Sequence, residues 1–225
     1  MSTFPRVQGP LRQRTLLVTT AAVPLTGWAV HAVTLHRQLA KNRRDPLTGL
    51  LRRDAYTARA RRILARHGDD TVVAFIDQDH FKAVNDRMGH AAGDAVLTAT
   101  AARLTAWAGP RAAIGRLGGD EFAVVTPMSQ ARAEQRLAQL VRMLHTPVVL
   151  EDGRTVDVAA SVGAVTPATL GTRDLPVLQR AADAALYDGK HSGTAYLATP
   201  AHASVPSMNG RRAGRPGTHR WGRAA

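Results

Sequence analysis

Apolar residues along the chain gather into short runs and helical stripes separated by glycine, proline and charge, and each run predicts an element. Residues 71–76 (TVVAFI) form an unbroken apolar, β-branched run closed by acids, the pattern of a buried strand. Residues 112–117 and 122–126 are two further runs around Gly118-Gly119-Asp120-Glu121, which predicts a hairpin with its acids at the tip. Alanine-rich 91–107 predicts a helix broken by Gly109-Pro110. Other helices are predicted over 46–67, where Asp45 can cap and Pro46 can start the first turn, and over 129–145 and 174–189. A strand, a turn at Asp152-Gly153 and a strand over 155–165 lie between the last two. Strands and helices mixed in this way predict an α/β sheet flanked by helices. From 199 onward Pro, Gly, Ser and Arg dominate without periodicity, which predicts a disordered basic tail over 200–225. The chain contains no internal repeat.

The N-terminal part has a different pattern. No formally charged residue occurs at the 22 positions 15–36, between Arg14 and Arg37, and about 20 apolar residues suffice to cross a bilayer. This predicts one N-terminal hydrophobic, membrane-spanning helix, diluted by threonines and His31 and kinked by Pro24 with Gly27, after a basic segment 1–14 and before a linker helix 37–45. The length of the stretch and the basic flank after it argue against a cleaved signal. The formal charge of +13 sits at the ends: 1–44 and 201–225 hold twelve of the 30 basic residues and none of the 17 acids, so the middle carries eighteen against 17, a net of +1. Such a nearly neutral body offers no broad footprint for nucleic acid, and no nucleic-acid partner is expected; basic ends suit lipid headgroups. Absence of cysteine excludes disulfides, thiolate metal sites and a cysteine nucleophile. A length of 225 residues, 44% hydrophobic, suits one cored domain with appendages.

The predicted strand 72–76 delivers Asp77 and Asp79 to its carboxyl end, where open sheets bind ligands. If the hairpin is its neighbour, Asp77 and Asp120 converge. Hard carboxylate oxygens without histidine or thiolate nearby are the donor set for Mg²⁺, which takes few protein ligands and completes its shell with substrate phosphates. The stretch Asp77-Gln78-Asp79-His80-Phe81-Lys82-Ala83-Val84-Asn85-Asp86-Arg87-Met88-Gly89-His90-Ala91-Ala92-Gly93-Asp94, followed by Gly118-Gly119-Asp120-Glu121-Phe122, resembles the GGDEF diguanylate cyclase family. The resemblance begins at Asp45-Pro46-Leu47-Thr48-Gly49-Leu50, includes Ser161-Val162-Gly163, Ala182-Asp183-Ala184-Ala185-Leu186-Tyr187 and Lys190, and ends near Leu197, roughly two thirds of the chain.

That resemblance implies a palm-like nucleotidyl cyclase domain over 46–199, with a central, mostly antiparallel sheet between helices. It implies a homodimer in which each domain binds one GTP, and in which two GTP give cyclic di-GMP and two pyrophosphates. Asp77, the backbone carbonyl of Gln78 and Asp120 would hold Mg²⁺, or Mn²⁺ in its place. Asn85 and Asp94 would read guanine, since a carboxylate accepts from its N1 and N2 hydrogens while an amide both donates and accepts. His90 matches a further substrate-side position, Phe81 and Lys82 would lie along the phosphates, and Lys190 would reach the terminal ones. Glu121 is the position implicated in activating the attacking 3′-hydroxyl, as base or as ligand. A need for GTP puts the domain on the cytoplasmic side of the inner membrane. The chain departs from the family pattern in places. Gly109 and Ala112 stand where an inhibitory Arg-x-x-Asp is often found, so product feedback there is not expected, though Arg116 is retained. Arg52 stands where the family pattern has an asparagine and Thr194 where it has an arginine; the resemblance implies weaker triphosphate binding as the expected effect of the second change. An alternative reading is a catalytically weak module that binds GTP or cyclic di-GMP as a regulator. A third, a basic-tailed attachment protein, is opposed by the neutral body.

Overall fold

A computed structural model describes residues 43–190 and 192–204, together with Trp28 and His31. Its elements in chain order are α1 Arg53–His67, β1 Thr71–Gln78, α2 Phe81–Met88, α3 His90–Ala108, β2 Ala113–Gly118, β3 Glu121–Pro127 and α4 Gln130–Leu144. They continue with β4 Val148–Val149, β5 Thr155–Val156, β6 Ala160–Val165, α5 Pro167–Leu170, α6 Leu175–Asp188, β7 Ala195–Leu197 and a 3-10 helix, Pro200–Ser204.

Strand β1 is buried at all eight positions because it is the centre of a five-stranded sheet ordered β2-β3-β1-β6-β7 and both its faces are covered. Its even positions, Val72, Ala74 and Ile76, pack with Leu97, Leu104 and Trp107 of α3 and Leu137, Leu140 and Leu144 of α4. Its odd positions, Val73 and Phe75, pack with Tyr56, Ile63 and Leu64 of α1 and Leu175, Leu178 and Ala182 of α6. A strand covered on both sides reads as a continuous apolar run, which is why 71–76 shows no alternation. All pairings in the sheet are antiparallel except β6 with β7, which is parallel, so the expected mostly antiparallel sheet between helices is the observed one.

The layer of α6 lies unusually close to the sheet. Gly163 of β6 faces α6 so tightly that a Cβ there would overlap the Ala182 carbonyl oxygen and the Leu186 amide. Alanine at 181, 182, 184 and 185 supplies the matching low relief on the helix, with each of these residues buried.

Several local expectations are corrected. The first helix starts at Arg53, not at 46: Asp45 closes a turn, its Oδ1 accepting from the Thr48 amide (2.9 Å) and hydroxyl (2.7 Å), and so caps no helix. The run 155–165 is interrupted at 157–159, leaving β5 paired only with β4 in a separate two-stranded sheet. Helix α2 and edge strand β7 arise where no element was expected. The fold also runs past 199 into the 3-10 helix, so the first five residues assigned to a disordered tail are ordered. The segment 1–14, all of the expected span 15–36 except Trp28 and His31, the linker as far as residue 42 and the tail from 205 lie outside the described residues. Among the described residues no helix is long and apolar enough to cross a membrane.

Replacing Gly163 by alanine should therefore cost about 1–3 kcal/mol or more through overpacking, lowering the melting temperature by roughly 2–4 °C per kcal/mol. Thermal unfolding checks this; a melting temperature equal to that of the parent would contradict the close approach.

Candidate active site

At the upper edge of the sheet, register decides which side chains meet. Asp77, the seventh residue of β1, pairs with Glu121 on β3 and with Ser161 on β6, so the three side chains share one face. That is the face covered by α6, because Val73 and Phe75 have the same parity. Gln78 points the other way, its Nε2 donating to the hydroxyl of Thr100 on α3 (2.8 Å), while its backbone stays at the edge. The Gln78 amide donates to the Asp120 carbonyl (3.3 Å), which ties the hairpin tip to the end of β1. Asp79 accepts from the Ser161 hydroxyl at 2.8 Å.

The tip is braced from behind. Arg116 Nε donates to the Gly119 carbonyl (2.9 Å) and its Nη1 pairs with Asp45 Oδ1 (3.1 Å). Burial raises the Asp45 carboxyl, but the Thr48 hydroxyl and amide with the Arg116 guanidinium outweigh it and hold the group below the usual carboxylate range. The opening Asp-Pro-Leu-Thr-Gly-Leu segment thus serves as a buttress for the acidic hairpin.

Four carboxylates, those of Asp77, Asp79, Asp120 and Glu121, lie at this edge, and the charge is not balanced. Asp77, 7% exposed, has its carboxyl raised above the ordinary range, first by burial and further by the charges of Asp120 and Asp79; Lys190 opposes the rise. Lys190 reaches in from beyond the end of α6, Nζ to Asp77 Oδ1 at 3.1 Å. An edge where burial and neighbouring carboxylates raise the Asp77 carboxyl, with the Lys190 ammonium beside it, fits a hard divalent cation: Asp77, Asp120 and the Gln78 carbonyl are oxygen donors. Among the described residues no three His, Asp or Glu side chains form a group that could hold a metal ion by themselves.

The second group of expected site residues lies on the α2–α3 pair. His80 joins β1 to α2 in the left-handed region (φ 56°), the one non-glycine positive φ among the described residues. It opens α2 directly after the acids, where the first amides, those of Phe81 and Lys82, lack intrahelical acceptors and suit an anion. The Phe81 ring is half-buried and packs against the core. Asn85 is half-buried, its Oδ1 in the space that a Cβ on Gly93 would fill, so Gly93 is what lets the Asn85 amide lie against α3. Lys82, His90 and Asp94 are exposed, and their side chains make no hydrogen bond or ion pair among the described residues. The structure therefore brings together Asp77, Gln78, Asp120, Glu121 and Lys190, and separately Phe81, Asn85 and Gly93. Thr100, Ser161, Arg116 and Asp45 are supporting residues that sequence reading did not assign to the site.

The chain matches the family model described as diguanylate cyclase, GGDEF domain, over residues 42–195. It is 48% identical over 168 residues to an uncharacterized 19.3 kDa protein of Streptomyces ambofaciens, covering 75% of this chain and 89% of that one. It is 39% identical over 124 residues to the diguanylate cyclase TpbB of Pseudomonas aeruginosa, covering 53% of this chain but 28% of TpbB. The solved GGDEF domain of TpbB superposes with a TM-score of 0.63 at 36% identity, over 71% of this chain and 96% of that domain.

The raised Asp77 carboxyl has a consequence for stability. A carboxyl raised in the folded state favours folding below the ordinary carboxylate range, and that contribution is lost as pH rises through the raised value. Asp77→Asn is expected to raise the melting temperature of the metal-free protein at neutral pH, with the gap to the parent closing as pH falls below the carboxylate range. Unfolding over a pH series checks this; a lower melting temperature for the variant at neutral pH would contradict it.

Proposed function

The chain belongs to the GGDEF diguanylate cyclase family, and from that premise we propose that it condenses two GTP into cyclic di-GMP with release of two pyrophosphates. The observation that carries the reading is the edge formed by Asp77, Asp120 and Glu121, held by strand register and short of positive charge. Mg²⁺, or Mn²⁺, held by Asp77, Asp120 and the Gln78 carbonyl, would supply charge neutralisation for the triphosphate and the departing pyrophosphate.

The protein's own groups divide the rest of the work. Asn85 and Asp94 bind the guanine edge, with His90 beside it. The amides that open α2, with Lys82, hold the phosphates, and the ammonium of Lys190 is drawn from Asp77 to the terminal phosphate, a stronger anion. Glu121 accepts the proton of the 3′-hydroxyl, which bonds to the α-phosphorus of the other GTP as its pyrophosphate leaves; the same exchange in reverse closes the ring. One chain holds one GTP, so both exchanges need two chains face to face, and the dimer is the active species. Catalysis is mainly positioning and charge neutralisation.

Incubating the full chain with GTP and Mg²⁺ tests this. Cyclic di-GMP and pyrophosphate should form in a ratio of about one to two, at a rate per chain that rises with protein concentration, and Asp120→Ala and Glu121→Ala should each lose about 10²-fold or more. Gly93→Ala, which displaces Asn85, should raise KM for GTP about tenfold, the effect of losing one good hydrogen bond to a base, with a smaller change in kcat. Absence of product at high protein concentration would overturn the reading.

A further inference from the structure

Lys190 leaves the fold from the last turn of α6, and that turn is held by a residue with no part in the reading above. After β7 the Ala198 amide donates to the Ala164 carbonyl (2.7 Å), anchoring the chain to β6 just before the 3-10 helix Pro200–Ser204. His202 turns inward from this helix and is 9% exposed. Its Nδ1 accepts from the Thr199 amide at 3.0 Å, with the Thr199 hydroxyl at 2.9 Å. A backbone amide can only donate, so Nδ1 is the accepting nitrogen and the ring carries its proton on Nε2. Nε2–H then donates to Asp188 Oδ2 at 3.0 Å.

Asp188 is the final residue of α6, and an anion is disfavoured at a helix C-terminus. No basic residue lies in that last turn to offset it. The side chain of Asp188 is 55% exposed, so burial does not hold it in place; the bond from His202 is what fixes it. From Asp188 the chain makes one tight turn, the Gly189 amide donating to the Ala185 carbonyl (3.0 Å) and the Lys190 amide to the Tyr187 carbonyl (3.2 Å). Lys190 Nζ then reaches Asp77 Oδ1 at 3.1 Å. A continuous path of bonded groups runs from His202 through Asp188 and the 188–190 turn to the acids.

We propose that His202 is a positioning residue for the nucleotide site: by donating to Asp188 it fixes the turn from which Lys190 reaches the triphosphate. The proposal rests on the reading of the site as a GTP site. A lysine has four rotatable bonds beyond its backbone, so the place of its Cα sets which phosphate its ammonium reaches, and a turn free to fray spreads that place over several positions. His202 lies in the segment 200–225, which the sequence pattern alone assigns to a disordered basic tail.

The test uses the full chain, with folding of every variant established by far-ultraviolet circular dichroism and thermal melting, and with KM for GTP and kcat measured separately. His202→Ala should raise KM by roughly 3- to 10-fold with kcat within about twofold, since a misplaced ammonium forfeits part of one charge-assisted hydrogen bond. His202→Gln, which keeps a side-chain N–H donor, should stay near the parent. In a Lys190→Met background, adding His202→Ala should change KM little, because the group it positions is gone. A role confined to stapling the chain end would lower melting temperature alone, or would raise KM equally with and without Lys190, and either result overturns the proposal. A parent chain that neither binds nor turns over GTP would remove the reading of the site, and this proposal with it; an active parent matched by His202→Ala removes the proposal alone.

Discussion

The arrangement depends on the antiparallel register of β1 with its two neighbours. Because Asp77 lies opposite both Glu121 and Ser161, the acids cannot separate without breaking the ladder at the centre of the sheet. Eight buried positions on β1 hold that register, since a slip of one residue would move Val73 and Phe75 to the wrong face. The hydrophobic core thus maintains a crowding of like charges that the acids themselves oppose, and the Asp77 carboxyl is raised first by its burial there and further by the charges of Asp120 and Asp79.

Other parts of the molecule deliver groups to this edge from a distance. Gly163 and the alanine face of α6 let the helix settle on the sheet, and its end then lies where Lys190 reaches Asp77. Arg116 and Asp45 secure the hairpin tip through a contact 71 residues apart in sequence. Trp107 of α3 and Arg136 of α4 tie the opposite layer together, Nε1 donating to the Arg136 carbonyl (2.7 Å) and the guanidinium lying 5.6 Å from the ring centroid. Each is a long-range contact whose removal acts on the site only through the backbone it fixes.

Legibility in the sequence followed the range of the interaction concerned. The buried strand, the hairpin with acids at its tip and the α3, α4 and α6 helices were readable because apolar period and turn glycines are local signals. So was the convergence of Asp77 with Asp120, which needed only that the two strands be neighbours. Asp45 was misread: Asp-Pro is a sound start signal for a helix, but its partners are Thr48 and the remote Arg116, which turn it into the closure of a loop. Strand β7, three residues long at the sheet edge, carries too little pattern to be seen, and His202 has meaning only beside Asp188.

On the proposed reading the ammonium of Lys190 and a divalent cation share one carboxylate, and this is the point on which the account stands or falls. The most direct measurement is a crystal structure of the chain with Mg²⁺ and a GTP analogue whose α-phosphorus cannot react. The account predicts that Lys190 Nζ leaves Asp77 for the terminal phosphate and that the metal lies against Asp77 and Asp120. Nucleotide bound with Lys190 still paired to Asp77 and no metal at these carboxylates would contradict it.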